Sequence, residues 1–216
     1  MIRGYSQLLI LAVLFLSCGK HESEQPLTLP YFNSAEFTPQ WIDEESPALQ
    51  KIHEIPEFSL TDQEGQQVTK DTFKGKIYVA SFFFVTCPGI CPQLTRNMGL
   101  LQEEFLNDDT IMFLSHTVMP EMDSVPVLKR YAENKGIKSN KWRLVTGDKD
   151  EIYSLARKAY FADEDFVKTQ DENAFIHTEN FVLVDKNGRI RGVYNGTIEF
   201  DLSRLIRHIK ILKREV

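Results

Sequence analysis

The stretch Tyr78-Val79-Ala80-Ser81-Phe82-Phe83-Phe84-Val85-Thr86-Cys87-Pro88-Gly89-Ile90-Cys91-Pro92 constrains the chain more than any other. Its first half is a run of apolar, β-branched and aromatic residues. Such side chains fill both faces of a covered sheet, so the run reads as a buried strand. Pro88 and Gly89 stop it, and from Gln93 to Phe105 apolar residues recur at helical spacing (Leu94, Met98, Leu101, Phe105). Pro92 is tolerable only in a first helical turn, where its missing N–H costs nothing, so the helix starts close to Gly89–Pro92. Two thiols, Cys87 and Cys91, thus stand where a central strand gives way to a helix.

A helix N-terminus carries partial positive charge and free N–H groups, which favour thiolate over thiol. Both cysteines are therefore expected to have lowered pKa values. Three intervening residues leave two options open: the sulfurs close a disulfide, or they approach one soft metal ion.

With 216 residues, 42% of them hydrophobic, the chain holds one domain with ample core. Its net charge of -6 argues against nucleic acid as a partner. The basic run Lys210–Arg214 ends an amphipathic C-terminal pattern and reads as a solvated face. The N-terminus reads as a targeting segment: Arg3 precedes an apolar run, Leu8–Leu16, too short to span a bilayer comfortably. It ends at Leu16-Ser17-Cys18-Gly19, which resembles a bacterial lipoprotein processing site, with Phe15 where such signals usually have Leu. On that reading residues 1–17 are a signal peptide and Cys18, lipidated, becomes the first mature residue; the alternative is an ordinary signal peptide or short anchor. Setting Cys18 aside leaves only Cys87 and Cys91. In an exported protein such a close pair is redox-active, metal-binding or both, because a disulfide closing so small a loop adds little stability.

Residues 18–49, with Pro26, Pro30, Pro39 and Pro47, read as a tether, part of which packs on the domain through Tyr31, Phe32, Phe37 and Trp41. Residues 50–216 form the domain. It opens with a hairpin (Ile55–Gly65, then Gln67–Thr69) and a turn of helix at Asp71–Phe73, followed by the central strand and the Cys helix. A strand over Thr110–Thr117, a helix over Ser124–Lys135 and a strand over Trp142–Val145 come next. A helix over Asp148–Tyr160, a hairpin around Asn187-Gly188 and a helix from Asp201 to Leu212 complete it. The class is α/β.

That order of elements looks like a thioredoxin-like fold, a central mixed sheet flanked by helices with an N-terminal β-hairpin extension. Within it, Cys87-Pro88-Gly89-Ile90-Cys91-Pro92 resembles the Cys-Pro-x-x-Cys-Pro motif of the SCO/SenC copper proteins. Val118-Met119-Pro120-Glu121-Met122-Asp123, Leu128–Ala132, and His177 ahead of Phe181–Asp185 match further blocks in the same order. The resemblance implies a copper site made of Cys87, Cys91 and His177, taking Cu(I) and also Cu(II). It implies a copper chaperone that helps build the binuclear copper site of cytochrome c oxidase subunit II, with a thiol–disulfide reductant as a second partner. The chain would be exported and lipid-anchored to a bacterial membrane, facing the periplasm or exterior.

Thiolates are soft and select Cu(I), imidazole suits either oxidation state, and three ligands leave a position open for transfer. Of the other histidines, His21, His53 and His208 read as surface; His116, at a strand end near the Cys helix, reads first as core or surface and otherwise as a neighbour of the site. Val85 and Gly89 depart from the family pattern, and Met119 stands at its usual acidic position: either a thioether there favours Cu(I) over Cu(II), or Met119 and Met122 are ordinary packing residues. The competing function is a thiol–disulfide oxidoreductase using the same pair. A peroxiredoxin-like peroxidase fits poorly, because Phe83 replaces the expected Thr and Arg96 is the only nearby arginine downstream.

Overall fold

The computed structural model describes residues 28–43, 45–172 and 174–215; the signal segment, Cys18 and His21 lie outside them. A short ribbon, β1 (Tyr31–Phe32) and β2 (Pro39–Gln40), leads to a 3-10 turn at Pro47–Lys51. Then come β3 (Ser59–Asp62), β4 (Gln67–Thr69), a 3-10 turn at Lys70–Phe73, β5 (Ile77–Phe83) and α1 (Cys91–Glu104). β6 (Ile111–Thr117), α2 (Val125–Lys135), β7 (Trp142–Thr146) and α3 (Lys149–Ser154) follow. The chain ends with α4 (Glu164–Thr169), β8 (Asn180–Val184), β9 (Ile190–Asn195) and α5 (Glu199–Leu212).

Seven strands make one sheet in the order β4-β3-β7-β6-β5-β8-β9. β5, β6 and β7 run parallel, and the outer pairs are antiparallel. Every residue of β5 and β6 is buried, and strand alternation divides them between two cores. Ile77, Val79 and Phe83 face α1, α2 and α5; Tyr78, Ala80 and Phe82 face α3 and Phe73. The mixed sheet with helices on both faces is the architecture expected from the sequence. Gly136 (φ 68) ends α2 and Gly188 (φ 80) turns the β8–β9 hairpin, both in the left-handed region that glycine enters without strain.

Three local differences stand out. The helix expected over Asp148–Tyr160 is capped by Asp148, whose Oδ1 accepts the Glu151 N–H at 2.9 Å, but continues as a π-turn over Leu155–Ala159. That turn carries Arg157, whose buried guanidinium pairs with the buried Asp163 at 2.9 Å. α4 follows at once, an element that an acidic, weakly periodic sequence did not announce. Within the segment read as a tether, Tyr31 is buried as expected, but Leu29 also joins the main core, and Trp41, expected to pack on the domain, is exposed.

Candidate metal centre

β5 delivers the chain to the site, and its covered strand ends at Phe83. The Cys87 N–H returns to the Phe84 carbonyl at 3.3 Å, closing a turn. Ile90 is the N-cap of α1, so Cys91 is its first residue and Pro92 its second. Here the sequence expectation for the helix start holds. Cys87 is half-buried and Cys91 is 5% exposed; both are free thiols, joined by a hydrogen bond.

The two thiols differ in acidity. Burial works against ionising Cys87, but hydrogen bonds from the Cys91 thiol and from the N–H groups of Cys91, Gly89 and Ile90 hold its pKa below the ordinary thiol value. Cys91 goes the other way. Burial, followed by its hydrogen bond to Cys87, pushes it up to about 12. The expectation that the helix terminus lowers both is therefore corrected: desolvation in the core outweighs it at Cys91.

A neighbouring loop buttresses the Cys segment. Asp123, 1% exposed, accepts the Val85 N–H at 3.1 Å and the Thr117 hydroxyl at 2.5 Å through one oxygen, Oδ2. Thr117 in turn accepts the Met119 N–H at 3.1 Å. Below the thiols, the Tyr131 and Thr95 hydroxyls bond at 2.8 Å, and the Tyr131 ring packs on Phe83 at 5.7 Å. The Met-Pro-Glu-Met-Asp segment is thus tied to the segment that leads from β5 to the cysteines, with Met119 half-buried and Met122 exposed. Sequence reasoning singled out Met119 and passed over Asp123, whose burial depends on contacts distant in sequence.

His177 is exposed on the loop between α4 and β8. Its ring meets Phe175 edge-on at 4.8 Å, and Phe175 meets Phe84 at 5.5 Å. Arg157 holds this loop from beneath, donating to the carbonyls of Glu172 (2.8 Å) and Ala174 (2.6 Å). Among the described residues no group of three or more His, Cys, Asp or Glu side chains is arranged to hold a metal ion. The structure therefore joins Cys87 to Cys91 and leaves His177 outside the group, one aromatic pair away from the Cys turn. As a donor set, two adjacent sulfurs suit a soft ion such as Cu(I).

The remaining histidines are occupied elsewhere. His116 is fully buried on the sheet face opposite α1; Nδ1 donates to the Ser81 carbonyl at 3.3 Å and the ring stacks on Phe82 at 4.8 Å. His53 bonds the Ala159 carbonyl through Nε2 at 2.8 Å, and His208 bonds the Tyr194 hydroxyl at 2.8 Å. Neither of these is the solvated side chain expected, because each has a polar partner against which it is partly buried.

The model of the SCO1/SenC family matches residues 46–213. The chain is 30% identical over 160 residues to the SCO1 protein homolog of Bacillus subtilis (strain 168), covering 73% of this chain and 82% of that protein. It is similar to the crystal structure of a SCO1/SenC family lipoprotein from Bacillus anthracis, with 28% identity and a TM-score of 0.65 over 75% of this chain and 96% of the other. It also resembles yeast Sco1 with copper bound, at 25% identity and a TM-score of 0.55, covering 72% of this chain and 91% of that one. These likenesses bear out the thioredoxin-like fold. The chain belongs to the SCO1/SenC family.

Proposed function

We propose that this protein is a copper chaperone that binds copper through Cys87, Cys91 and His177. Its client would be the binuclear copper site of cytochrome c oxidase subunit II. The observation that carries the reading is the hydrogen-bonded thiol pair of unequal acidity at a strand-to-helix junction. Support comes from a copper-bound relative, yeast Sco1, and from a solved Sco protein described as one of the cytochrome c oxidase assembly proteins.

Copper is cargo here, held by soft thiolates and passed by ligand exchange. Cys87, the more acidic and more open thiol, is the first sulfur to engage copper and the one a client reaches. Cys91 must lose its proton on loading, so uptake releases protons and strengthens with pH. His177 completes the set by a movement of its loop, whose base Arg157 holds. Residues 1–17 act as a signal peptide, Cys18 carries lipid, and residues 50–216 are the working domain. The domain faces the periplasm or exterior of a bacterial membrane, in keeping with the lipoprotein relative.

The same acidity split favours a second reading, thiol–disulfide exchange. Cys87 thiolate attacks a client disulfide, one client sulfur leaves as thiolate, and Cys91 resolves the mixed disulfide. The client gains a dithiol and the Cys87–Cys91 pair is oxidised, so a reductant must restore it. Titrating the reduced chain from Gly19 onward with Cu(I) against a competing chelator tests the first reading. A Cys87→Ser, Cys91→Ser variant that holds copper as tightly as wild type would exclude it.

A further inference from the structure

The end of the sheet opposite the cysteines collects positive charge. β5, β6 and β7 all begin there, and α1 and α5 both end there. Lys210 meets Glu104 at 2.6 Å and Lys213 meets Asp108, joining the two helix ends. Lys76 and Lys141 direct their ammonium groups at the backbone carbonyls of Asp109 and Asp108, and the carboxylates of both aspartates also act on Lys141. The Gly75 N–H bonds the Lys186 carbonyl at 3.3 Å, which brings two further lysines to this end. Exposed here are Lys74, Lys138, Lys186, Lys210, Lys213 and Arg214, against the exposed acids Asp71, Glu104 and Asp109. Lys74, Lys138 and Lys186 lie outside the ion pairs with Glu104 and Asp108. In a chain of net charge -6 this runs against the overall sign.

The chain also enters the fold at this end. The Leu29 N–H donates to Glu215 at 2.6 Å. Arg191, 4% exposed, donates to the carbonyls of Leu29 (2.5 Å) and Pro30 (3.1 Å), pairs with Glu215 at 2.6 Å, and lies over the Tyr31 ring at 4.0 Å. This buried clamp fixes where residue 28 leaves the domain. From Cys18 to Thr28 the chain spans at most about 35 Å even fully extended. A lipid at Cys18 would therefore keep this end within about 35 Å of the bilayer. The thiols lie at the far end of β5, roughly 20 Å away along a strand of seven residues.

We propose that this basic end is a docking surface for an anionic lipid bilayer, and that it seats the domain with Cys87 and Cys91 directed away from the membrane. The proposal rests on the reading of Cys18 as the lipidated residue. Charge complementarity to anionic headgroups supplies the attraction, which salt screens.

Both cores lie within residues 28–215, so the chain from Gly19 onward keeps the whole described fold without lipid. Its partitioning onto phosphatidylcholine vesicles, with and without a third of phosphatidylglycerol, tests the surface directly. The expected result is binding to the anionic vesicles only, abolished by high salt. Joint Lys74→Glu, Lys138→Glu and Lys186→Glu substitution should weaken it by roughly tenfold or more, with the circular dichroism spectrum unchanged. Equal partitioning onto both vesicle types, no partitioning, or indifference to charge reversal would overturn the proposal. Mass spectrometry of the membrane-extracted full chain reads lipid at Cys18 separately, so failure of the anchor and failure of the surface are distinguishable.

Discussion

The Asp123 carboxylate accepts the backbone N–H of Val85 at 3.1 Å, two residues ahead of Cys87, from a loop thirty-eight positions further along the chain. The same oxygen takes the Thr117 hydroxyl at 2.5 Å. Removing it leaves two buried donors unpaired. Asp123→Ala should cost about 2 kcal/mol or more of stability and loosen the Cys turn, lowering Cu(I) affinity. Asp123→Asn, which keeps an oxygen in place, should recover much of both. Urea unfolding and copper titration of the two variants check this; identical behaviour of Ala and Asn would show that the contact does not position the turn.

The thiols should react in order. Cys87 is the more acidic and more open, whereas burial pushes Cys91 up to about 12. At neutral pH a small alkylating agent should modify Cys87 first and Cys91 only slowly. Peptide mapping after brief labelling reads the order. Equal labelling would mean that the burial difference does not govern reactivity.

Acid should weaken the fold through His116. Burial holds its pKa at about 4, against an ordinary value of 6.5. Above pH 6.5 neither folded nor unfolded chain protonates it, so it adds no pH dependence. As pH falls from 6.5 to 4 the unfolded chain takes up a proton that the native one refuses. Stability should therefore drop by about 3 kcal/mol across that window and change little through this group below it. His116→Phe should flatten the slope measured by urea unfolding at several pH values; an unchanged slope would assign the loss to other groups.

Met119 stands where the resemblance implies an acidic residue, on the loop that Thr117 and Asp123 tie to the Cys segment. Met119→Asp should strengthen Cu(II) retention by adding negative charge to the loop tied to the Cys segment. Equal Cu(II) dissociation constants in the two proteins would show that the side chain does not bear on the metal.

Much of this was legible in the sequence, for physical reasons that differ by element. β5 announced itself because a strand covered on both faces needs an apolar run, and β6 through the alternation of Ile111, Phe113 and Ser115. The start of α1 was fixed by Pro92, and the last hairpin by Asn187-Gly188. The π-turn at Leu155–Ala159 was not legible, because it serves a buried pair, Arg157 and Asp163, that no local pattern records. At the site, the helix position of Cys91 was readable but its acidity was not. Dipole arguments are local, whereas burial is set by residues from distant elements. Asp123 and Arg191 escaped notice for the same reason, since charged residues read as surface until their partners are known.

Copper held by Cys87, Cys91 and His177 requires that His177, which stands apart from the thiols in the structure described, join them on loading. The direct test is Cu(I) stoichiometry and affinity, measured against a competing chelator, for the reduced chain and its His177→Ala variant. One copper per chain is expected, with an affinity at least roughly tenfold weaker in the variant. Equal affinity in the two proteins would contradict it and leave Cys87 and Cys91 as a thiol–disulfide pair.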